Sequence, residues 1–229
     1  MILSHKHKFI FIKTNKTAGT SVEIFLSNLC GPEDVITPIS QKDEKLRQSM
    51  NSRGPQNCYA KLSEYTFKDF LRLIFKGKKK LKFYNHMPAS EIKRLIPEEI
   101  WNEYTKFAVV RHPLDRFMSF YHWHNRKEKP SYIDFLKNEK MKLFVSRGFE
   151  AYTINEELVV DRVIYFENLV PELESLLTEL GIRDKVVLPR TKATTRKNKS
   201  DERKLSDEEI ELLKSIVAPE LKVLEYSLD

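Results

Sequence analysis

The feature that most constrains this chain is a short apolar run that passes directly into a polar, glycine-containing segment. Phe9–Ile12 consists of four β-favouring residues, which is typical of a buried parallel strand. The polar segment Lys13–Ser21 follows, and apolar residues then recur at near-helical spacing from Val22 to Leu29. In such a strand–loop–helix unit, the backbone N–H groups and the dipole of the helix start both favour an anion. The sequence therefore predicts an anion-binding loop at the carboxyl end of a parallel strand.

Strand and helix patterns then alternate along the chain. We predict strands at 105–110 and about 159–166, with shorter candidates at 81–84 and 186–188. Helices are predicted at about 66–75, 89–96, 132–138 and 171–180, from Pro113, and from Ser206. The alternation implies an α/β sandwich with a largely parallel sheet. We predict one domain over residues 1–229, with an irregular insertion at about 32–60 and a basic loop or lid at about 190–204.

Composition narrows the class of protein without deciding it. Hydrophobic residues make up 41% of the 229 residues, enough for a sizeable core. The formal charge of +7 suits an anionic ligand, but it also suits nucleic acid or a membrane surface. Cys30 and Cys58 are the only cysteines, and no apolar stretch approaches the ~18 residues of a membrane span. Two thiols without a disulfide pattern favour a reducing compartment, so we expect a cytoplasmic protein without a membrane anchor.

The polar loop differs from a Walker A motif. In that motif the lysine follows the last glycine, whereas here Lys16 precedes Gly19. The strand at 105–110 ends in Arg111, where an NTPase usually places a magnesium-binding aspartate. Because a cation at that point attracts a second anion, we expect a ligand with two anionic ends and no metal. The loop side chains available to it are those of Lys16, Thr17, Thr20 and Ser21.

Three segments resemble a known family. Phe9–Ser21 resembles the 5′-phosphosulfate loop of the carbohydrate-type sulfotransferases, usually Pro-Lys-Thr-Gly-Gly-Thr-Ser; Asn15 replaces the proline and Ala18 the first glycine. Phe107–Ser119 resembles the 3′-phosphate segment of that family, in which an arginine ends a strand and a serine follows eight residues later. Between them, His86–Ser90 resembles the segment that carries the acceptor-activating histidine.

Two later segments, Tyr165–Leu169 and Leu188–Arg196, are also similar to this family. The second has Lys192 and Thr194 where Asn and Ser are usual. The family includes Golgi enzymes that sulfate heparan and chondroitin, and the chain resembles a soluble, bacterial-type member. The resemblance implies a three-layer, P-loop-like α/β sandwich in which helices flank a central, mainly parallel sheet.

The resemblance also implies an activity, with PAPS (3′-phosphoadenosine 5′-phosphosulfate) as the cofactor. The sulfuryl group would pass in line, without a metal, to a hydroxyl of a carbohydrate or another hydroxylated metabolite, leaving adenosine 3′,5′-bisphosphate. Lys16 would neutralise the bridging oxygen, and His86 would be the base. Neither nucleic acid nor a membrane is expected as a partner. The implied cofactor contacts are Lys13, Lys16, Thr17, Ala18, Gly19, Thr20, Ser21, Arg111, Ser119, Thr194 and Arg196.

Structural interpretations and rival functions stay open at this point. Arg111 also suits an ion pair with Asp115, and His86 a helix cap or a packed side chain, in which case His124 or Glu91 is the alternative base. A nucleotide-dependent small-molecule kinase would need a Mg²⁺ carboxylate near the loop. A nucleic-acid-binding module would account for the charge and for the basic tract at 192–204. The basic run at 76–82 suits a solvated face or the binding of an acidic acceptor.

Overall fold

The protein is described here by a computed structural model that covers residues 1–125, 129–189, 204–224 and 226–228. The strands are β1 (Ile2–Ser4), β2 (Phe9–Ile12), β3 (Val35–Ile36), β4 (Thr105–Val110), β5 (Thr153–Ile154), β6 (Glu157–Leu158) and β7 (Arg162–Tyr165). The helices are α1 (Gly19–Leu29), α2 (Gln41–Ser49), α3 (Phe67–Lys76), α4 (Ala89–Leu95), α5 (Glu98–Glu103), α6 (Pro113–His124), α7 (Tyr132–Leu136), α8 (Lys140–Ser146), α9 (Leu169–Glu179) and α10 (Asp207–Leu224). Short 3₁₀ helices cover Leu62–Glu64, Phe149–Ala151 and Phe166–Asn168.

A five-stranded sheet in the order β3-β1-β2-β4-β7 forms the centre of the fold, and β5 and β6 form a separate hairpin. β2 pairs with β4 in parallel, and β4 with β7, whereas β1 is antiparallel to both of its neighbours. Four of the five strands therefore run in the same direction. Ile12 pairs with Ala108, so the carboxyl ends of β2 and β4 lie at one edge of the sheet. Lys13 and Arg111, which follow these strands, begin at that edge.

Helices cover both faces of the sheet. Phe9 and Phe11 pack with side chains of α1 and α9, and Ile10 and Ile12 with side chains of α4, α5 and α10. This division follows from the two-residue period of a strand. A third apolar cluster joins α6, α7 and α8 to α10. The expected α/β sandwich with a central sheet flanked by helices is confirmed.

The segment predicted as an irregular insertion, 32–60, contains two regular elements. β3 pairs with β1 in this segment, and α2 begins after Ser40, whose hydroxyl accepts the N–H of Asp43 at 3.2 Å. The side chains that α2 buries are those of Asp43 and Arg47, so the helix has no apolar stripe. A search for hydrophobic periodicity misses such a helix, and it also misses a strand of two residues.

Two predicted strands do not form. Leu81 makes one isolated bridge to Tyr59, after which the chain turns at Asn85 and His86. Val186 is buried in the core, but 182–189 has no regular structure. An apolar side chain can thus be buried without a neighbouring strand to pair with its backbone.

The predicted lid at 190–204 lies, apart from Lys204, outside the described residues. None of the helices in the described ranges is both long enough and apolar enough to cross a membrane.

Candidate functional site

The loop between β2 and α1 has the backbone of an anion cradle. Lys16 and Ala18 both adopt left-handed conformations, with φ of 63° and 61°. Such residues, alternating with ordinary ones, direct successive N–H groups into one concavity. α1 begins at Gly19 with no acidic residue in its first turn, so its dipole is available to an anion. A Cβ at Gly19 would lie 2.9 Å from Cγ of Lys13, and the turn therefore requires glycine there.

Alternate loop residues face solvent. Lys16, Ala18 and Thr20 are partly exposed, whereas Thr17 and Ser21 are buried. The Thr17 hydroxyl lies 2.7 Å from that of Thr14, which in turn donates to the carbonyl of Val109 on β4. The side chain of Thr17 therefore fastens the loop to the sheet through Thr14, a residue that sequence reasoning overlooked. The expected ligand contact by Thr17 stays a prediction.

Lys13 lies beneath the loop. Its Nζ is 2.6 Å from Oε2 of Glu23, and a nitrogen of Arg47 lies 3.5 Å from the other oxygen; all three side chains are buried. Burial alone would raise the pKa of the Glu23 carboxyl, but neighbouring cations, chiefly Lys13, lower it to about 2. Lys13 thus supports the loop by neutralising Glu23, and the expected cofactor contact by Lys13 stays a prediction.

Lys16 carries its charge to the outer side of the loop. Its ammonium lies 5.5 Å from the ring centroid of Trp123, near the end of α6. Trp123 is partly exposed and offers the ring face that a cation favours. No sequence pattern links Trp123 to the loop, so sequence reasoning overlooked this contact. The arrangement holds a positive charge at the rim of the cradle.

Arg111, in the segment Phe107–Ser119, contacts the loop of the segment Phe9–Ser21. Its Nη1 lies 3.5 Å from the carbonyl oxygen of Lys16, and its Nη2 lies 3.6 Å from a carboxylate oxygen of Asp115. The guanidinium also stacks over the ring of Phe166, 4.3 Å from the ring centroid. Both interpretations of Arg111 are therefore compatible with its position, since the ion pair and the loop contact coexist. Ser119 is partly exposed and lies one turn beyond Asp115 on the same face of α6.

The Tyr165–Leu169 run supports this arrangement. Phe166 provides the ring beneath Arg111, and Glu167 accepts the backbone N–H of His112 at 2.9 Å, at the start of α6. A carboxylate there satisfies an N–H group that the helix itself cannot pair. The run thus fixes both Arg111 and the helix that follows it.

Arg116 is the main support that sequence reasoning missed. This buried side chain donates to the Asn15 side-chain oxygen at 3.3 Å and to the Phe144 carbonyl at 3.0 Å, and it pairs with Glu220. A Cβ at Gly148 would lie 2.1 Å from its Nη1. Arg116 therefore joins α6, α8 and α10 to the loop. The signal was available at Asn15, because a polar residue in place of the family's proline needs a polar partner.

His86 lies against the base of the same loop. Its Nδ1 is 3.0 Å from the carbonyl oxygen of Lys13, so Nδ1 donates and Nε2 is the ring nitrogen that can accept a proton. Its backbone is left-handed, with φ of 60°. Burial, and next the charge of Lys13, lower the pKa of the imidazole to about 3. His86 is thus a neutral imidazole with its tautomer fixed by the loop.

The two alternative bases lie in other surroundings. His124 packs against the rings of Phe120 and Trp123, and burial followed by the charges of Lys140 and Lys16 lowers its pKa. Burial, and next the carboxylate of Glu91, raise the pKa of the Tyr84 phenol to about 12. Neither has the carbonyl contact that orients His86. Thr194 and Arg196 lie outside the described residues, which hold no group of three or more His, Cys, Asp or Glu placed to bind a metal ion.

Comparisons with known proteins identify the family of this chain. A family model described as Sulfotransferase family matches residues 1–227. An uncharacterised protein of Archaeoglobus fulgidus is 24% identical over 104 residues, which are 44% of this chain and 87% of the relative. The crystal structure of a sulfotransferase from Alicyclobacillus acidocaldarius aligns over 96% of both chains, with 16% identity and a TM-score of 0.42. Because the family model covers nearly the whole sequence, the chain belongs to the Sulfotransferase family.

Proposed function

We propose that this sulfotransferase takes its sulfuryl group from PAPS and passes it to an acceptor hydroxyl. The observation that carries the proposal is the meeting of two motifs at one sheet edge, where Arg111 lies 3.5 Å from the Lys16 carbonyl. An anion cradle and an arginine on adjacent parallel strands suit a ligand with two anionic ends. When bound, PAPS supplies the sulfuryl group and a nucleotide leaving group.

The residues of the cradle fit the 5′ end of this cofactor. Backbone N–H groups at Ala18, Gly19 and Thr20 lie where the helix dipole favours an anion, and the Thr20 hydroxyl is partly exposed beside them. Lys16 keeps a positive charge at the rim, where charge develops on the bridging oxygen during transfer. Arg111 and Ser119 bind the 3′-phosphate, for which a guanidinium is well shaped.

His86 acts on the acceptor. Since its Nδ1 donates to the Lys13 carbonyl, Nε2 can accept the hydroxyl proton. The low pKa keeps the ring neutral at pH 7, so Nε2 carries no proton and its lone pair is available to accept one. We place the acceptor in a cleft of about 440 Å³ that begins two residues beyond His86 and is lined by Pro88, Ser90, Glu150 and Asn155, among others. Its polar side chains suit a carbohydrate or another hydroxylated metabolite.

Nucleotide binding tests the proposed cofactor. Adenosine 3′,5′-bisphosphate should raise the melting temperature by a few degrees at saturation, and adenosine 5′-monophosphate by much less. Arg111→Gln should weaken bisphosphate binding by about 1.5–3 kcal/mol. The two nucleotides should then raise the melting temperature of this variant by more similar amounts. Thermal shift and calorimetry measure both effects, with sulfate transfer to a panel of sugars as the activity assay.

Arg162→Gln provides the matched control. Arg162, on the neighbouring strand β7, forms an exposed ion pair with Glu179 of α9 at 3.0 Å, so its loss should leave the binding of both nucleotides unchanged. Equal stabilisation by the two nucleotides in the wild type would contradict the assignment of Arg111. A strict Mg²⁺ requirement for turnover would instead support the kinase alternative.

A further inference from the structure

α3 exposes the side of the helix that a globular protein normally buries. Its large apolar residues lie at helical spacing and are 77%, 40%, 37%, 71% and 77% exposed in chain order; we call Phe67, Phe70, Leu71, Ile74 and Phe75 the α3 face. None of the ten residues of α3, all within the described part of the chain, is buried. Exposed apolar patches of this kind mark interaction sites.

The helix is stabilised without burial of that face. Thr66 and Asp69 form a reciprocal capping box at its start, and Gly77 closes its end with φ of 60°. Asp69 also pairs with Lys80 at 2.9 Å, and the ring of Tyr65 lies 5.4 Å from that of Phe70. These contacts hold α3 against the residues on either side of it and leave the α3 face exposed.

Cationic residues lie beside the α3 face. Residues 66–82 contain seven Lys and Arg and one Asp. Lys68, Arg72 and Lys76 are spaced by four residues, so they form a cationic row beside the apolar stripe. Beyond the helix, a cleft of about 370 Å³ is lined by Arg72, Lys78, Lys79 and Lys80, together with Asp69, Leu81 and Tyr84. An apolar stripe, a cationic row and a cationic cleft thus lie side by side.

We propose that α3 docks this protein on an anionic lipid surface. The α3 face would enter the boundary between head groups and acyl chains, while the cationic row and the cleft would meet lipid phosphates. Charge disfavours a second copy as the occupant, because two such faces would bring fourteen Lys and Arg together. This is peripheral binding, distinct from a membrane span, and it departs from the expectation that no membrane is a partner. It does not rest on the proposed cofactor.

Vesicle co-sedimentation tests the proposal. The wild type should bind mixed phosphatidylcholine–phosphatidylglycerol vesicles and not phosphatidylcholine vesicles, and added NaCl should weaken binding. Phe67→Ser/Phe75→Ser and Arg72→Gln/Lys76→Gln should each weaken binding about tenfold or more. These side chains are exposed, so both variants should keep the wild-type melting temperature.

Two control variants change similar groups elsewhere. Val170→Ser/Val187→Ser removes two other exposed apolar side chains, and Lys137→Gln/Lys142→Gln removes two exposed charges; both should bind vesicles like the wild type. Equal binding to uncharged vesicles, no binding to either kind, or normal binding by Phe67→Ser/Phe75→Ser would overturn the proposal. So would a wild-type dimer in sedimentation equilibrium that this variant loses, because the α3 face would then belong to a second copy.

Discussion

Lys16, Ala18 and His86 share an uncommon backbone state. All three have φ between 60° and 63°, although none is glycine. A side chain in this conformation costs roughly 1–2 kcal/mol relative to glycine. Such strain persists where surrounding contacts fix the chain, here the Thr14 hydrogen bond to β4 and the His86 contact with the Lys13 carbonyl. At the scale of single residues, hydrogen bonds from neighbouring residues therefore fix the backbone of the candidate site.

Asparagine substitutions separate the catalytic roles proposed for Lys16 and His86. Asparagine tolerates left-handed backbone, and its amide can keep the hydrogen bond that His86 donates to the Lys13 carbonyl. His86→Asn should therefore retain the wild-type affinity for PAPS while kcat falls by roughly 10²–10⁴, the loss expected for a positioned base. Lys16→Asn should slow sulfuryl transfer and also lower the affinity for PAPS, because it removes a positive charge at the cradle. Calorimetry and sulfate-transfer kinetics measure the two effects.

Lys8→Asn is the control for this pair. Lys8 also has a left-handed backbone, with φ of 52°, but it is exposed and pairs with Glu103 at 3.6 Å. Its loss should change neither affinity nor kcat. If His86→Asn binds PAPS normally and still turns over near the wild-type rate, another residue is the base, and His124 is the next to test.

At the scale of elements, β2, α1, β4 and α6 were predictable because each has a local signal. β2 is a continuous apolar run, β4 ends in the apolar run Phe107–Val110, α6 begins with Pro113, and α1 follows the loop motif. α2 was not predictable, because its buried residues are charged. Arg47 pairs with Glu44 in its own helix, but its contact with Glu23 on α1 and the contact of Arg116 with Glu220, 104 residues away, are pairs that no local pattern contains. The residues proposed to touch the cofactor were thus more predictable than those that hold them.

Ala18, which precedes α1 as its N-cap, provides a prediction for this element. Ala18→Gly should raise the free energy of unfolding by about 1 kcal/mol, because glycine relieves the left-handed strain. Ala218→Gly, at an exposed position inside α10, should lower it by about 1 kcal/mol. Urea denaturation of both variants measures the effects. Equal destabilisation by both would show that Ala18 is not strained.

At the scale of the whole molecule, two buried groups make stability depend on pH. The pKa of His86 is lowered to about 3 and that of Glu23 to about 2. In each case the unfolded chain binds a proton at a higher pH than the folded chain does. The free energy of unfolding should therefore fall as pH decreases below about 6.5 through His86, and fall further below about 4.5 through Glu23.

Denaturation at several pH values tests the first of these steps. As the pH falls from about 6.5 to about 5, the free energy of unfolding of the wild type should decrease by up to about 1.4 kcal/mol per pH unit through His86. The free energy of unfolding of His86→Asn should decrease less over the same range, because this variant lacks the imidazole. The measurement is the urea midpoint of each protein at each pH. Parallel curves for the two proteins would mean that the imidazole titrates alike in the folded and unfolded chains.

The buried group formed by Lys13, Glu23 and Arg47 also constrains how this protein can evolve. Removing Glu23 leaves the Lys13 ammonium buried without a carboxylate, which costs about 3–5 kcal/mol, whereas exchanging Glu23 and Lys13 together for apolar residues can be nearly neutral. Arg47 is less constrained, because it also pairs with Glu44 at 3.1 Å. Among homologous sequences, positions 13 and 23 should therefore vary together, and a relative with an apolar residue in place of Glu23 should also lack the cation at position 13.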